Sequence, residues 1–314
     1  PGTERGGHMA EVRRAAVIGT GTMGPGMGAV LARAGIETAL YDVSAEALER
    51  AKAGAQLAEG ALERLEAPQE AGGSLRFEDD LAAALEGADF VLEAVPEKLE
   101  LKQEVFPRFE QHVAEDAVLA SNTSGIPITK IAAVCRRPER VVGMHWSNPP
   151  HLIPMIEVIP GEQTEQRVVD DTCALIRRFG YHPVVEREVP GFVENRILYA
   201  ILRECLDLVD RGIIDPEGLD LNVRWGIGYK LAVIGPMELL DMAGLDIYDA
   251  VGSYLNQDLS TSGEVSSTIR DRIAEGKLGM KTGSGIYDYT PEQIDQLRGQ
   301  RAAKLVAVRK ALEG

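Results

Sequence analysis

Cysteine is scarce in this sequence of 314 residues, which contains only three: Cys135, Cys173 and Cys205. They lie far apart, without a CxxC pair and without a histidine cluster at metal-binding spacing. Scattered cysteines argue against a disulfide framework and a structural zinc site, and they are typical of a reducing compartment. We therefore predict a cytoplasmic protein that binds no metal.

Positive charge is also in short supply, because 33 lysine and arginine residues stand against 49 aspartate and glutamate residues, for a net charge of -16. Such an acidic surface repels nucleic acids and anionic membranes. The sequence has no apolar run near the ~20 residues that a bilayer-spanning helix needs. We predict neither nucleic acid nor a membrane as a partner. The opening PGTERGGHM is typical of an expression-vector remnant ending at Met9, so we exclude His8 from the functional residues.

The sequence does contain an α/β pattern followed by a helical one, and it is long enough for two cores. Short β-branched runs alternate with helical patterns, which is typical of βαβ units around a parallel sheet. The predicted strands are 13–19, 37–42, 90–95, 117–122, 141–145, 155–159 and 183–188, with helices at 23–34, 44–65 and 99–113. Beyond Pro190 the pattern is almost wholly helical. We predict a doubly wound parallel sheet in residues 10–189 and an all-α domain in residues 190–314.

The first predicted strand leads into a glycine-rich turn, GTGTMG, which opens a helix of small residues. In this strand–turn–helix context, GxGxxG spacing is typical of a Rossmann-type dinucleotide site. Gly19 permits the tight turn, Gly21 lets the backbone approach the pyrophosphate, and Gly24 allows close helix–strand packing. Thr22 and Met23 complete the loop.

Asp42 ends the next predicted strand, eighteen residues after Gly24. An acidic residue about 20 residues beyond the glycine motif binds the ribose 2′-hydroxyl and repels a 2′-phosphate, which favours NAD over NADP. The alternative is a glycine turn beside an exposed aspartate that binds nothing. Ligands of an open α/β sheet collect beyond the carboxyl ends of its strands. Later strand ends therefore supply further cofactor candidates, namely Ala94, Val95, Glu97, Asn122 and Ser124.

His145 and Glu157 lie twelve residues apart in the segment HWSNPPHLIPMIE. The Asn-Pro-Pro between them breaks a strand, because proline restricts its own backbone and that of the preceding residue. We predict His145 at the end of one strand and Glu157 in the next, with their side chains face to face. A carboxylate on one imidazole nitrogen sets the tautomer and raises the basicity of the other nitrogen. The alternative is a core histidine and a surface glutamate.

With these residues, the chain resembles the L-3-hydroxyacyl-CoA dehydrogenase family over nearly its whole length. Several separate motifs carry the resemblance: SNTS at Ser121–Ser124, HxxNP at His145–Pro149 with Glu157, GFxxNR at Gly191–Arg196, and GKLGMKTGSGIYDY at 276–289. The segment EAVPE also matches, with Glu97 and Lys102 at positions that contact the nicotinamide half of the cofactor in that family.

The resemblance implies a role for each of these polar residues. His145 is expected to take the hydroxyl proton while hydride leaves the carbon for NAD, and Glu157 to orient it. Ser124 and Asn195 are expected to hydrogen-bond the reacting oxygen. Asn148 is expected to hold the base or the substrate carbonyl. The alternative for Ser124 and Asn195 is turn chemistry and helix capping, where both residue types are common.

The sequences of these motifs are similar to those in the branch of the family that acts on small acids such as L-gulonate and pyridine carboxylates. Family members acting on acyl-CoA carry a long lysine-rich arm, whereas residues 50–80 here are short and rich in acids. A CoA tail would find little electrostatic help there. We predict hydride transfer between NAD and a hydroxyl or aldehyde group of a small carboxylic acid. The substrate candidates are Trp146, Arg196, Trp225, Tyr229 and Lys230, with core or dimer packing as the alternative for the tryptophans and ion pairing for Arg196.

Three alternative functions stay open at this point. The first is a (S)-3-hydroxyacyl-CoA dehydrogenase such as a 3-hydroxybutyryl-CoA dehydrogenase. The second is a β-hydroxyacid dehydrogenase, which shares the GxGxMG motif and uses a lysine for which Lys230 is the candidate. The third is a non-catalytic, NAD-binding protein of the crystallin type. The family builds its subunit contact from the helical half, so we also expect a homodimer, and the apolar segment 235–248 suits the contact, with a purely internal core as the alternative.

Overall fold

The computed structural model describes residues 12–313, so the opening segment with His8 and the first two residues of the predicted sheet domain lie outside the described chain. Within that range the chain divides into two units, the first ending at Val193 and the second beginning at Glu194. The first unit contains a sheet covered by helices, and the second is built from helices.

The sheet of the first unit has eight strands among the described residues, in the spatial order β3-β2-β1-β4-β5-β6-β7-β8. The strands are β1 (Arg14–Ile18), β2 (Glu37–Tyr41), β3 (Ser74–Glu78), β4 (Phe90–Glu93), β5 (Val118–Ser121), β6 (Val141–Trp146), β7 (Met155–Pro160) and β8 (His182–Val185). The first six run parallel, whereas β7 is antiparallel to β6 and β8 is parallel to β7. The predicted α/β class with a mostly parallel sheet is confirmed.

Strand β3 is the one that the sequence reading missed, because residues 50–80 were interpreted from their acidic composition alone. It pairs in parallel with β2, in register from Glu37–Ser74 to Tyr41–Glu78. Its sequence, SLRFE, alternates polar and apolar residues, which is the period-2 signal of a strand with one packed face. The signal was present but only five residues long.

Six helices of the first unit cover the sheet: α1 (Gly24–Arg33), α2 (Ala45–Arg64), α3 (Leu81–Leu85), α4 (Leu99–Phe109), α5 (Ile128–Ala132) and α6 (Gln166–Arg178). Side chains that precede a helix help to start it. Ser44 accepts a hydrogen bond from the amide of Ala47 at the start of α2, and Asp80 accepts one from Ala83 at the start of α3. Gly28 of α1 lies close to the side chain of Leu40 in β2, so a larger residue there would collide with it.

The main core cluster joins one face of the sheet to α3, α4 and α5. Its members include Ile18, Leu85, Val91, Phe106, Phe109, Leu119, Ile128 and Ile159, all of which are buried. The rings of Phe106 and Phe109 in α4 have their centroids 5.4 Å apart. Burying large apolar side chains stabilises this unit by roughly 1.5–3 kcal/mol per residue. A rigid sheet is the result, and its carboxyl edge carries the polar residues described below.

The second unit consists of α7 (Phe192–Asp210, which begins in the last residues of the first unit), α8 (Pro216–Asn222), α9 (Tyr229–Leu231), α10 (Pro236–Ala243), α11 (Leu245–Asp258), α12 (Ser267–Ala274) and α13 (Pro291–Glu313). A π-helical turn at Val223–Gly228 joins α8 to α9. Among residues 194–313, β-pairing is limited to isolated bridges around Ser284. The helical nature predicted for this half is confirmed. Over the range that the structure covers, no helix combines the length and apolar character needed to cross a membrane.

Candidate active site

The glycine loop between β1 and α1 has the shape that a pyrophosphate needs. Gly19 has a φ of 110°, in the left-handed region that glycine alone adopts readily, and a Cβ there would lie 2.5 Å from the carbonyl oxygen of Ala94. A Cβ on Gly24 would collide with the carbonyl oxygen of Gly19. Gly21 instead faces open space, since no atom would lie within 4 Å of its added Cβ. This space adjoins the start of α1, where no side chain caps the helix, so its backbone amides can receive an anion.

Asp42 is fixed beside this loop, just beyond the end of β2. One oxygen of its carboxylate accepts hydrogen bonds from the amide and the hydroxyl of Thr20, at 3.0 and 2.8 Å, and the other accepts one from the amide of Ser44 at 3.1 Å. The next residue, Val43, is 83% exposed and offers no cation to a 2′-phosphate. The residues present therefore fit NAD, as the sequence predicted.

A buried ionic cluster ties the ends of β4 and β5 to α4. The ammonium of Lys102 lies 2.7 and 2.9 Å from the two carboxylate oxygens of Glu93, and both side chains are almost completely buried. Ser121 donates a hydrogen bond to Glu93 at 2.6 Å, and the amide of Val95 donates another at 2.7 Å. Burial raises the pKa of the Glu93 carboxyl, while Lys102 and these donors act in the opposite direction.

The same lysine reaches the loop that follows β4, since its ammonium lies 3.3 Å from the carboxylate of Glu97. Glu97 accepts hydrogen bonds from the hydroxyl of Thr123 at 2.6 Å and from the amide of Ser124 at 2.9 Å. Asn122 accepts one from the amide of Trp146 at 2.9 Å. Three neighbouring strand ends are thus held together by polar contacts at the carboxyl edge of the sheet.

His145 and Glu157 form the pair that the sequence predicted. They lie directly opposite each other in the antiparallel ladder of β6 and β7. Imidazole Nδ1 of His145 lies 2.6 Å from Oε2 of Glu157, and both side chains are buried. Because Glu157 occupies Nδ1, the nitrogen left for a substrate is Nε2. The arrangement can therefore take a proton at Nε2 and stabilise the resulting imidazolium from behind.

The chain that leads into α7 closes over this pair. Gly191 and Phe192 both have positive φ angles, 78° and 51°, which turn the backbone at the start of the helix. The amide of Val193 then donates a hydrogen bond to Oε1 of Glu157 at 3.1 Å. The buried Phe192 ring lies with its centroid 5.7 Å from that of His145. The imidazole is thus held by a carboxylate on one side and a ring on another.

The other predicted site residues are distributed as follows. Asn148 is exposed and lies just beyond β6, while Asn195 and Arg196 belong to the first turn of α7. Trp225 and Tyr229 are exposed in the second unit, with ring centroids 6.0 Å apart, and Lys230 follows them in α9. The roles of these residues stay predictions.

Trp146, unlike Trp225 and Tyr229, is buried in the first unit. It follows His145 in β6, so its side chain points to the opposite face of the sheet. There it is buried against Phe179 and Tyr181, with ring centroids 5.7 and 5.9 Å away. This placement favours core packing, the alternative weighed for the tryptophans, over substrate contact.

Sequence reasoning missed two groups of polar residues at this edge. Glu93 pairs with Lys102 and accepts a hydrogen bond from Ser121, and the available signal was an ionisable residue at the end of the otherwise apolar strand FVLE. Glu186 lies beside Glu157, and it was interpreted as part of a strand over 183–188. Strand β8 ends at Val185, and Glu186 falls on the same face as Val184, which lies opposite Glu157.

Comparison with known proteins gives a consistent result over both halves of the chain. Residues 14–189 match the NAD-binding domain of 3-hydroxyacyl-CoA dehydrogenase, and residues 191–289 match the C-terminal domain of that enzyme. The chain is 54% identical over 306 residues to 5-formyl-3-hydroxy-2-methylpyridine 4-carboxylate 5-dehydrogenase of Mesorhizobium japonicum, and the match covers 96% of this chain and 99% of that protein.

Solved structures agree with these sequence matches. The crystal structure of a 5-formyl-3-hydroxy-2-methylpyridine 4-carboxylic acid 5-dehydrogenase, described as an NAD⁺-dependent dismutase, aligns with a TM-score of 0.94 at 54% identity, covering 96% of this chain and 99% of that one. The (S)-3-hydroxybutyryl-CoA dehydrogenase of Ralstonia eutropha aligns with a TM-score of 0.71 at 31% identity, covering 89% and 100%. Together with the glycine loop and the histidine–glutamate pair, these matches show that the chain belongs to the 3-hydroxyacyl-CoA dehydrogenase family and is an NAD-dependent dehydrogenase.

Proposed function

We propose that the enzyme oxidises an aldehyde or hydroxyl group of a small carboxylic acid that carries no CoA, with 5-formyl-3-hydroxy-2-methylpyridine 4-carboxylate as the first substrate to test. The observation that carries the chemistry is the 2.6 Å contact between His145 and Glu157 at the carboxyl edge of the sheet. The substrate follows from the relative that shares 54% identity over 96% of this chain, whose name states that reaction.

The roles of the site residues follow from the geometry of the first unit. NAD, when bound, accepts a hydride at C4 of its nicotinamide ring. Nε2 of His145 takes the proton from the substrate hydroxyl, or from the hydrate of an aldehyde, and Glu157 stabilises the imidazolium. Loss of a hydride and a proton converts an alcohol to a carbonyl compound and an aldehyde hydrate to a carboxylic acid. We assign Ser124 and Asn195 to the reacting oxygen and Asn148 to holding the base or the substrate carbonyl.

Cofactor binding divides among the strand ends. Gly19, Gly21 and Gly24, with Thr22 and Met23, receive the pyrophosphate, and Asp42 receives the adenosine ribose. Ala94, Val95, Glu97, Lys102, Asn122 and Ser124 line the nicotinamide half. The ion pair with Glu93 supports an indirect role for Lys102, since its ammonium already contacts two carboxylates and holds Glu97 in place.

The charges of α2 favour a substrate without CoA. Arg50 is paired with Glu46 on the same helix at 2.6 Å, and Lys52 is paired with Glu49 at 2.5 Å. These two cations are therefore already neutralised by neighbouring acids and contribute little to a phosphate-rich CoA tail. An acyl-CoA substrate is the second candidate, because the 31% identical Ralstonia eutropha relative is a 3-hydroxybutyryl-CoA dehydrogenase. Membership of this family argues against the β-hydroxyacid dehydrogenase alternative and against a catalytic role for Lys230.

The second unit supplies our candidates for the substrate carboxylate. Arg196 and Lys230 provide positive charge, and Trp225 and Tyr229 provide exposed aromatic surface for a pyridine ring. The guanidinium of Arg224 lies 5.6 Å from the Trp225 ring centroid, which adds a cation to the same surface. Trp146 is the weakest candidate because it is buried in the core.

The experiment is a comparison of three substrates under identical conditions. NADH formation is followed with 5-formyl-3-hydroxy-2-methylpyridine 4-carboxylate, L-gulonate and (S)-3-hydroxybutyryl-CoA, and the His145→Gln variant serves as the control for each. We expect the highest kcat/KM with the pyridine aldehyde, by at least about 100-fold, equivalent to roughly 2.7 kcal/mol of transition-state binding. A preference for the CoA ester would refute the assignment. NADH binding without turnover of any substrate would instead identify a non-catalytic protein of the crystallin type.

We also propose that the protein is a homodimer through its helical unit. The segment 235–248 exposes large apolar side chains, among them Met237 at 68% and Met242 at 75%. Soluble monomers rarely expose contiguous apolar surface on this scale, whereas subunit contacts bury it. Sedimentation equilibrium is expected to give twice the chain mass of 34.0 kDa. A mass of one chain would contradict the dimer.

All three cysteines are free thiols, which supports the cytoplasmic location that we infer.

A further inference from the structure

A second carboxyl group lies behind the histidine–glutamate pair. Glu186 follows β8, and its Oε1 accepts a hydrogen bond from the amide of Val193 at 3.0 Å. The same amide donates to Oε1 of Glu157 at 3.1 Å. One backbone donor at the start of α7 is thus shared by the two carboxyl groups, which places them side by side.

The second oxygen of Glu186 has no donor of its own within residues 12–313. Oε2 is buried, and no donor from the described residues reaches it. Its carboxyl neighbour, Glu157, is an acceptor when ionised, so the two groups can bond to each other only through a proton. Burial raises the pKa of Glu186 to about 7, and the negative charge of Glu157 acts in the same direction.

We propose that Glu186 is a positioning residue that holds a proton against Glu157 and thereby sets how much negative charge faces His145. When Glu186 carries the proton, one negative charge is shared by the two carboxyl groups behind the imidazole. When that proton is lost, two negative charges lie behind it and stabilise the imidazolium more strongly. The pair and its neighbour therefore act as a unit of three groups.

This arrangement suits hydride transfer in both directions. The imidazole must take a proton when the substrate is oxidised and give one back when a carbonyl is reduced. A single shared charge stabilises the imidazolium less strongly than two charges would, so the imidazole can take the proton and give it back. The inference rests on the proposed catalytic role of His145 and is independent of which substrate the enzyme uses.

The neighbourhood of Glu186 also supplies a matched control. Within the first unit, the titratable groups that face Glu186 are Glu157 from β7 and His145 from β6. Glu188 lies two residues further along the same loop, and its carboxylate instead accepts a hydrogen bond from the amide of Thr129 at 2.8 Å. Glu188→Gln changes the same charge in the same loop without touching the catalytic pair.

The first measurement needs no substrate. Infrared difference spectra of the whole chain, recorded between about pH 5 and about pH 9, detect the carbonyl stretch of a protonated carboxyl group as it disappears. We expect this band in the wild type, with a midpoint near pH 7, and we expect it to be missing in Glu186→Gln and retained in Glu188→Gln. A wild type without the band, or a band that persists in Glu186→Gln, would overturn the inference.

The second measurement is the dependence of kcat/KM on pH in the direction of oxidation. Glutamine keeps the shape of the side chain and can donate to Glu157, but it never acquires a charge. We expect the rise of the rate with pH to occur about half a unit to one unit lower in Glu186→Gln than in the wild type. Glu188→Gln should match the wild type. A profile of unchanged position, lowered only in height, would reduce Glu186 to a structural residue. If no substrate is found, the infrared spectra still show whether Glu186 holds a proton in the folded protein.

Discussion

Two clusters of carboxylates lie at the same edge of the sheet, and they differ in the partners that surround them. At the end of β4, Glu93 is paired with the ammonium of Lys102 and accepts hydrogen bonds from two further donors. At β7, Glu157 faces an imidazole and a second carboxyl group, both of which can gain or lose a proton. A buried charge needs a partner in either case, since isolated burial costs several kcal/mol. We expect the pair of Glu93 and Lys102 to stabilise the fold, and we propose that the titratable partners of Glu157 serve catalysis.

The largest effect is expected from removing the imidazole. His145→Gln should lower kcat/KM by about 10²–10⁴-fold, because the imidazole is the group that we assign to accept the substrate proton. Steady-state kinetics measure the loss, and NADH titration checks that the cofactor still binds. The exposed His182 in β8 provides the control, since His182→Gln should leave both values unchanged. Retention of most of the turnover in His145→Gln would place the base elsewhere.

Removing the ammonium of Lys102 should lower the stability of the folded protein. Lys102→Met keeps the length of the side chain but leaves Glu93 buried without its partner, so we expect a loss of about 3–5 kcal/mol in the free energy of unfolding. Urea denaturation measures it. Lys98→Met, at an exposed position in the same segment, should stay within about 0.5 kcal/mol of the wild type. Adding Glu93→Gln to Lys102→Met should recover part of the loss, and failure to do so would show that packing rather than charge holds this joint.

A smaller effect is expected when only one hydrogen-bond donor to Glu93 is removed. Ser121→Ala deletes the 2.6 Å hydrogen bond to Glu93 and should cost about 2 kcal/mol of stability, the usual value for a bond to a charged group. The exposed Ser253 on α11 serves as the comparison, since Ser253→Ala should cost far less. Equal losses in the two variants would contradict the importance of the buried carboxylate.

The smallest effect, and the one with a pH signature, concerns Glu186. Its pKa in the folded protein is raised from 4.5 to about 7, so below pH 4.5 the group is protonated in both states and favours neither. As the pH rises through that window the unfolded chain ionises first, and the folded wild type loses stability relative to Glu186→Gln. At about pH 8 the difference should be about 1 kcal/mol, well under the full value of the shift because the side chain is partly exposed. Thermal unfolding at several pH values tests this, and a difference that does not grow with pH would contradict it.

Sequence patterns were reliable where a short-range rule applies. The glycine spacing, the strand before it and the acid after it all depend on neighbouring residues, and the structure shows the loop and Asp42 as expected. The contact between His145 and Glu157 was also predicted, because a rigid corner between two β-like runs can bring these side chains face to face, and the structure shows them opposite each other in an antiparallel pair. Strand β3 was missed because five alternating residues in an acidic stretch are a weak signal.

The sequence by itself determined the fold class, the nucleotide loop and the histidine–glutamate pair, since each of these depends on local backbone rules and on hydrophobic periodicity. Only the tertiary structure decided which acids share a proton and which share a cation. Glu93 and Lys102 meet because α4 lies against the end of β4, and Glu186 meets Glu157 because β8 pairs with β7 and the start of α7 supplies a common donor. The properties of an ionisable group depend on what surrounds it in three dimensions, and those neighbours come from distant parts of the chain.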